Sequence, residues 1–476
     1  MPAASADGLG LELDRASRTP YYRQIYSRLV EAIVRGVLQP GARLPSTRCL
    51  ASQLATSRGT IDLAYGMLSG DGYVLSLGAA GTVVAPGLPD GGGRSSLPTG
   101  GKNVADGGSA AETFAVKPFQ MGQPALDAFP LKLWTRLAAR HARALTPSMM
   151  ATWDSMGYRP LREAVASYVA VSRGAICSAD HVIITPGFQA GLGMIARVLL
   201  EPGDRVWVED PCYFAARDAL RLAGARLVGV PVDAEGMDAG FGAARASDAR
   251  FAYVTPSHQA PLGVTLSVER RALLLDWASR MGAWIVEDDY DAEFRYGSPP
   301  LPALKSLDRA GRVIYAGSFS KVLFPGLRLG YVVVPEELLG RFHEVRVLLS
   351  NDCPTLNQAV VAEFLLEGHF ARHIRQMRTL YASRRAALAG ALVSVFGSQI
   401  DLQLRDGGMH LLARFPGCDS DREWVARASR QGLAPVALSK WRVERDCGQG
   451  LLLGFTNVAA EDAKSAAVRL KKAVGL

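Results

Sequence analysis

Eight glycines fall between residues 87 and 108 of the 476-residue chain, and through that stretch apolar residues recur at neither helical nor strand spacing. A run of this kind cannot bury enough hydrocarbon to offset its ordering entropy, so residues 87–113 read as a flexible linker with a root-mean-square span of about 30 Å. The chain is thereby divided into a small unit over 15–86 and a large one over 114–476. Two domains is also what the length asks for, since single cores stop growing at about 250–300 residues. An apolar content of 49% is ample for both.

In the small unit, Tyr22, Ile25, Tyr26, Leu29 and Ile33 share one helical face, and a first helix is expected over 21–37, closing at Gly36. Pro40-Gly41 turns the chain. Ser46 or Thr47 caps a second helix through Leu54, and Thr56 or Ser57 caps a third that runs to about Ser69. Asp71-Gly72 breaks it, and two strand-like runs, Tyr73–Leu77 and Thr82–Val84, flank a Gly-Ala-Ala-Gly turn. Three helices followed by a hairpin make a winged helix-turn-helix. Between residues 36 and 61 stand Arg43, Arg48 and Arg58 and no acid, which suits phosphate contacts at the start of the third helix. A helical cap or dimerisation module has the same outline. Charge does not separate the two, because residues 1–85 hold eight arginines, no lysine and six acids, a net of +2.

From Phe114 onward helical and strand patterns alternate, the signature of an α/β domain. The apolar run Ala283–Val286 ends in Glu287-Asp288-Asp289-Tyr290, and a strand that ends so delivers acids and a tyrosine to the carboxyl edge of a parallel sheet, where such proteins place ligands. A second run, Tyr315–Tyr331, sets Lys321 between an apolar stretch and Pro325-Gly326, with Ser318 and Ser320 before it and Arg328 after it, leading into a strand Leu329–Val334. A lysine amine can hold an aldehyde as a Schiff base, and small hydroxyls with a forked guanidinium can hold a phosphate dianion. One ligand carries both groups, pyridoxal 5′-phosphate (PLP). A carboxylate can keep its pyridine nitrogen protonated and a tyrosine hydroxyl can bond its phenolic oxygen. Upstream, the strand His181–Thr185 runs into Pro186-Gly187-Phe188-Gln189-Ala190-Gly191, a glycine turn opening a helix whose amides can hold phosphate, although a plain strand-to-helix turn reads the same way.

Asp288-x-Tyr290, Ser318-x-Ser320-Lys321 and Arg328 resemble the cofactor site of fold-type I aminotransferases. That resemblance makes Lys321 the aldimine lysine, Asp288 the partner of the pyridine nitrogen and Tyr290 the partner of the phenolic oxygen. It makes Ser318, Ser320 and Arg328 the phosphate cup, together with the turn Gly187, Phe188 and Gln189, where the family usually has Ser or Thr in place of Phe188. Tyr213, in Asp210-Pro211-x-Tyr213 after the strand Val206–Glu209, stacks on the pyridine face. Two family residues are missing. The loop Pro256-Ser257-His258-Gln259-Ala260-Pro261-x-Gly263 lacks the asparagine that contacts the phenolic oxygen, leaving His258 and Gln259 as the nearest polar residues. The run Leu451-Leu452-Leu453-Gly454-Phe455 lacks the preceding arginine that pairs with a substrate carboxylate, with Arg442 and Arg445 nearest, so an amino-acid substrate is in question.

The small unit resembles the GntR-type DNA-binding domain in Gln39-Pro40-Gly41-x-x-Leu44-Pro45-Ser46-x-Arg48-x-Leu50-Ala51, Ser57-Arg58-Gly59-Thr60 and Gly72-Tyr73. By that resemblance Ser46, Arg48, Ser57, Arg58 and Thr60 contact double-stranded DNA and Gly81 shapes the wing. Ala79 stands where the wing usually has its first glycine, and Gly59 weakens the first turn of the recognition helix. Head, linker and body together resemble the MocR subfamily of GntR-type transcription regulators. The resemblance implies a winged helix-turn-helix joined to a PLP-dependent transferase fold-type I domain with a mainly parallel sheet. It implies a regulator with no catalytic residues, a head-to-tail homodimer, and sensing of PLP or an amine through an aldimine at Lys321. The alternative is a working PLP-dependent aminotransferase with an appended DNA-binding domain.

A formal charge of +8 and a pI of about 9.2 permit a nucleic-acid partner. Six scattered cysteines without a Cys-x-x-Cys pair point to reduced thiols. Met1–Asp14 lacks the basic start and apolar core of a leader, and no run approaches the ~18 apolar residues of a membrane span, so a cytoplasmic protein is expected. His369-x-x-x-His373 has metal-ligand spacing, but no acid or cysteine cluster accompanies it; an exposed helical face, and no metal, is expected.

Overall fold

Hydrocarbon at helical spacing folds the small unit as the residues ask. The computed structural model describes residues 12–17, 19–78, 81–86, 116–151, 154–297, 302–349, 353–417 and 420–476; the linker and Ala79 lie outside these. Clustering of contacts divides the chain into two compact units, residues 1–110 and 111–476. In the first, α1 (Tyr21–Val34), α2 (Thr47–Gln53) and α3 (Arg58–Gly70) precede β1 (Val74–Ser76) and β2 (Thr82–Val84). The first helix stops short of the expected 37, because Gly36 adopts φ +74°. Ser46 and Ser57 are the caps, their Oγ atoms accepting from the Cys49 and Thr60 amides, each at 3.2 Å. Ile25, Leu29, Leu50, Ile61 and Leu68 are fully buried between the three helices. Tyr65 ties α3 to the turn before α2, its hydroxyl donating to the Pro45 carbonyl at 2.9 Å. The hairpin pairs Val74 with Val84 and Ser76 with Thr82, and Arg43 bridges to Val83.

Among the described residues of the second unit, twelve further strands form two sheets: β3 (Val182–Thr185), β4 (Arg205–Asp210), β5 (Arg226–Asp233), β6 (Gly236–Met237), β7 (Phe251–Val254), β8 (Trp284–Asp289), β9 (Val313–Ser318), β10 (Gly330–Val333), β11 (Asp401–Gln403), β12 (His410–Arg414), β13 (Val436–Ala437) and β14 (Leu451–Gly454). The larger sheet has the order β3-β10-β9-β8-β7-β4-β5-β6. Neighbours β9, β8, β7, β4 and β5 are parallel, while β10 runs antiparallel to both β3 and β9. Strands buried on both faces need apolar residues throughout, and β3, β7 and β10 are buried at every position.

Helices cover both faces of this sheet. Leu192, Ile195 and Phe342 pack on the face carrying Tyr253, Val286 and Ile314; Leu274 and Trp277 pack on the face carrying Trp207, Val254 and Ile285. The smaller sheet, β11-β12-β14-β13, is antiparallel throughout. Because β3, β4, β7, β8 and β9 all point the same way, their carboxyl ends meet at one edge, and every residue expected to hold the cofactor lies at or after one of those ends or just before β10.

Candidate functional site

Three consecutive acids end β8, and alternation along the strand gives each a different fate. Glu287 and Asp289 point to one face. Glu287 accepts from the Leu304 and Lys305 amides at 2.7 and 2.8 Å. Asp289 accepts from the Tyr315 hydroxyl and pairs with the buried Arg173 guanidinium, both at 2.6 Å. Asp288 points to the opposite face, where Tyr253, two residues diagonally across from it on β7, donates its hydroxyl at 2.6 Å. No cation pairs with Asp288 among the described residues. Burial pushes its pKa up to about 8, against the tyrosine hydrogen bond that pulls it down, with Asp289, Asp291 and Glu209 adding to the rise.

Lys321 follows β9 and its Nζ donates to the Gly122 carbonyl at 3.1 Å. Burial holds its pKa below the usual lysine value, against the pull of Asp291 and Asp288 in the other direction. Gly122 has φ +67°, and a Cβ there would stand 2.3 Å from Nζ, so only glycine lets the backbone meet the amine. The segment carrying Gly122 is held by a bridge between Phe119 and Gly454, the last residue of β14. Gly122 was not legible as a site residue: its only signal is a glycine just past the linker.

Tyr290 is fixed from the side opposite the sheet. His258 Nδ1 lies 2.9 Å from its hydroxyl and 3.1 Å from Asp291 Oδ2. The imidazole is boxed in: Cβ atoms at Gly408 and Gly263 would stand 2.1 and 2.9 Å from its ring atoms. The His410 ring meets it edge-on at 5.7 Å, and burial lowers the His410 pKa to about 4, so His410 is neutral at physiological pH. Thus His258 contacts Tyr290, the residue expected at the phenolic oxygen. Gln259 does not, because its amide donates to the Pro211 carbonyl after β4 and to the Ala260 carbonyl in its own loop, each at 2.9 Å.

The residues expected to hold phosphate come from the ends of β3 and β9 and the start of β10. Gly330 pairs with both Thr185 and Ser318, which brings the turn after β3 and the turn after β9 together. Gly187, at φ +85°, caps the Phe188–Leu199 helix, whose first amides have no helical acceptor. The Phe188 ring leans toward Tyr253 at 6.3 Å, leaving only its backbone to the site. The buried Gln189 Nε2 has no hydrogen-bond partner among the described residues. Ser318 Oγ accepts from the Ser320 amide at 3.2 Å. Arg328 sits at φ +52°, exposed, its amide donating to the Pro325 carbonyl at 3.2 Å and its side chain without a hydrogen bond or ion pair among the described residues, and its Cζ lies 4.0 Å from where a Gly187 Cβ would be. Tyr213 is half-buried and packs on Trp441 at 5.6 Å; burial raises its pKa, and Asp288 adds to the rise.

Elsewhere the expectations divide. His373 is not exposed: it is 3% accessible, packed against Phe129, with Nε2 2.9 Å from the Val322 carbonyl, because the long His369–Phe396 helix passes beneath the residue after Lys321. Arg445 lies over the Phe241 ring at 4.6 Å, and Arg442 is exposed. Among the described residues no cluster suits a metal ion and no helix is long and apolar enough to cross a membrane. In the small unit Arg48 and Arg58 are exposed; Arg58 has one partner, Asp62 at 3.5 Å. Thr60 reinforces the cap, its Oγ1 2.8 Å from Ser57 Oγ. Gly81, at φ +94°, has the Arg43 guanidinium against it, so Arg43 joins the wing, a role its place in the sequence did not reveal.

Residues 21–84 match the family of bacterial regulatory proteins, gntR family, and residues 119–434 match aminotransferase class I and II. Over 457 residues the chain is 37% identical to the probable rhizopine catabolism regulatory protein MocR of Rhizobium meliloti, covering 94% of this chain and 92% of that protein. The chain belongs to the MocR subfamily of GntR-type transcription regulators. As a MocR-type protein it is a regulator with an enzyme-derived domain. It is also 30% identical to the pyridoxine biosynthesis transcriptional regulator PdxR of Corynebacterium glutamicum, over 94% of each chain. The MocR-type body is similar to the α-aminoadipate aminotransferase LysN of Thermus thermophilus, solved with N-(5′-phosphopyridoxyl)-L-leucine (31% identity, TM-score 0.69, 75% of this chain and 91% of that one).

Proposed function

We propose that this regulator binds PLP at the carboxyl edge of the large sheet and alters its hold on double-stranded DNA when PLP or an amine occupies that site. The observation that carries the reading is a half-buried lysine, its amine on the Gly122 carbonyl and its pKa lowered, within the field of a buried carboxylate, Asp288, that makes no ion pair among the described residues. The donor set fits the cofactor. Asp288 suits a protonated pyridine nitrogen, Tyr290 braced by His258 suits a phenolic oxygen, and Tyr213 offers a ring. Arg328, Ser318, Ser320 and the amides of Gly187, Phe188 and Gln189 suit a phosphate dianion. When bound, PLP supplies an aldehyde that condenses with primary amines and a chromophore that reports it. Lys321 presents the amine, and Gly122 holds it in place by accepting from Nζ.

For the head, Arg48 and Arg58 with the capped start of α3 are the DNA-facing residues, together with Ser46, Ser57, Thr60 and the wing at Gly81. The functional boundaries are 15–86 for the head, 87–113 for the linker and 114–476 for the body. The protein acts in the cytoplasm as a head-to-tail homodimer. The effector must favour one arrangement of that dimer over another, since equal affinity for both shifts nothing. The test is Lys321→Ala. The wild type is expected to take up PLP with a visible band and to carry a borohydride-fixed label; the variant is expected to show neither. A label that persists on the variant would place the site elsewhere.

A further inference from the structure

The wall facing the cofactor site from the smaller sheet is hydrocarbon. Leu451 and Leu453 of β14 point into the main core, whereas Leu452, between them, points the other way. It pairs across the sheet with Leu412, and the two join Leu438 and Trp441 in a cluster against which Tyr213 and Tyr290 pack. Met121, next to the glycine that receives the Lys321 amine, packs on the same cluster.

Asp288 and Asp291 are buried and act on Lys321 through space. The cations nearby are engaged or turned away. Arg173 pairs with Asp289 and Glu293 on the other face of the large sheet. Arg445 covers Phe241, and the exposed Lys440 lies over the Phe214 ring at 3.8 Å. Arg405 is exposed, its Nε donating to the Leu262 carbonyl at 3.3 Å. His410 is neutral. Among the described residues the unpartnered guanidinium at the site is Arg328, at the end expected to take phosphate, so a carboxylate brought to the apolar wall would be desolvated there without an ion-pair partner, which costs several kcal/mol. The wall's unsatisfied polar atom is the Trp441 indole nitrogen, buried without a partner, which suits a neutral acceptor.

We propose that the effector accepted beside Lys321 is a primary amine with an apolar body and no acid group. This rests on the PLP reading above and narrows it to a chemical class. The test uses the full-length protein loaded with PLP and titrated with matched pairs, 2-phenylethylamine against phenylalanine and 3-methylbutylamine against leucine, with the visible spectrum as readout. The amine of each pair is expected to half-shift the band at a concentration at least about tenfold lower than its amino acid. An amino acid that shifts the band at an equal or lower concentration than its amine, or a band that no member of either pair moves, would overturn the proposal and leave PLP binding intact. If PLP alone produces no band, the cofactor reading itself fails.

Discussion

At the scale of single residues, Asp288 and Lys321 carry opposite costs of burial, and the first has a consequence for pH. Burial raises the Asp288 pKa from 3.8 to about 8 in the folded chain. Between these values the folded protein holds a proton that the unfolded chain has released. Its contribution to stability is thus fully present below about pH 4 and lost as pH rises through about 8. Glu209 and Glu287, each raised by burial to about 7, act in the same direction. PLP-free protein is therefore expected to lose stability to chemical denaturation as pH rises from about 5 to 8, and Asp288→Asn is expected to remove roughly 1–3 kcal/mol of that loss. A variant whose stability falls with pH in parallel with the wild type would contradict the assignment. Gly122→Ala tests the other half: the added methyl displaces the Lys321 amine, and PLP affinity measured by the visible band is expected to fall at least about tenfold. Unchanged affinity would mean that the backbone contact does not position the amine.

Secondary elements explain how much could be read in advance. The acid-tipped β8, the lysine after β9 and the glycine turn after β3 were all legible, because each is a local pattern of apolar run followed by chemistry. The choice of Asp288 over its acidic neighbours came from the resemblance, and the strand's alternation supplies a physical reason for it, since Glu287 and Asp289 are engaged on the other face. What could not be read is what arrives from far along the chain: Gly122 stands 199 residues from Lys321, and Gly408 closes on His258 from another sheet. His373 misled because helical spacing reveals a shared face but not what covers it.

The helices of the head give a paired test at this scale. A Cβ at Gly59 would meet nothing closer than Ser57 Oγ at 3.9 Å, and the position is helical, so Gly59→Ala is expected to stabilise the head by about 0.5–1 kcal/mol. Gly81→Ala, at φ +94° and against the Arg43 guanidinium, is expected to destabilise it. Thermal melts of the two full-length variants check both, and equal shifts of the same sign would contradict the wing geometry.

The whole molecule joins two chemistries on one chain: exposed arginines about a capped helix start in the head, and a half-buried lysine near an acid without an ion-pair partner in the body. Arg58→Ala is expected to weaken DNA binding more than replacement of an exposed arginine on the body such as Arg430, and equal losses would argue against α3 as the recognition helix. The central claim is that occupancy at Lys321 is felt at the DNA. It is tested most directly by footprinting genomic fragments selected by the full-length protein, with and without PLP and the amine that moves its band, on the wild type and on Lys321→Ala. The account predicts an occupancy that changes with ligand in the wild type and does not change in the variant. Occupancy that responds equally in both, or in neither, would contradict it.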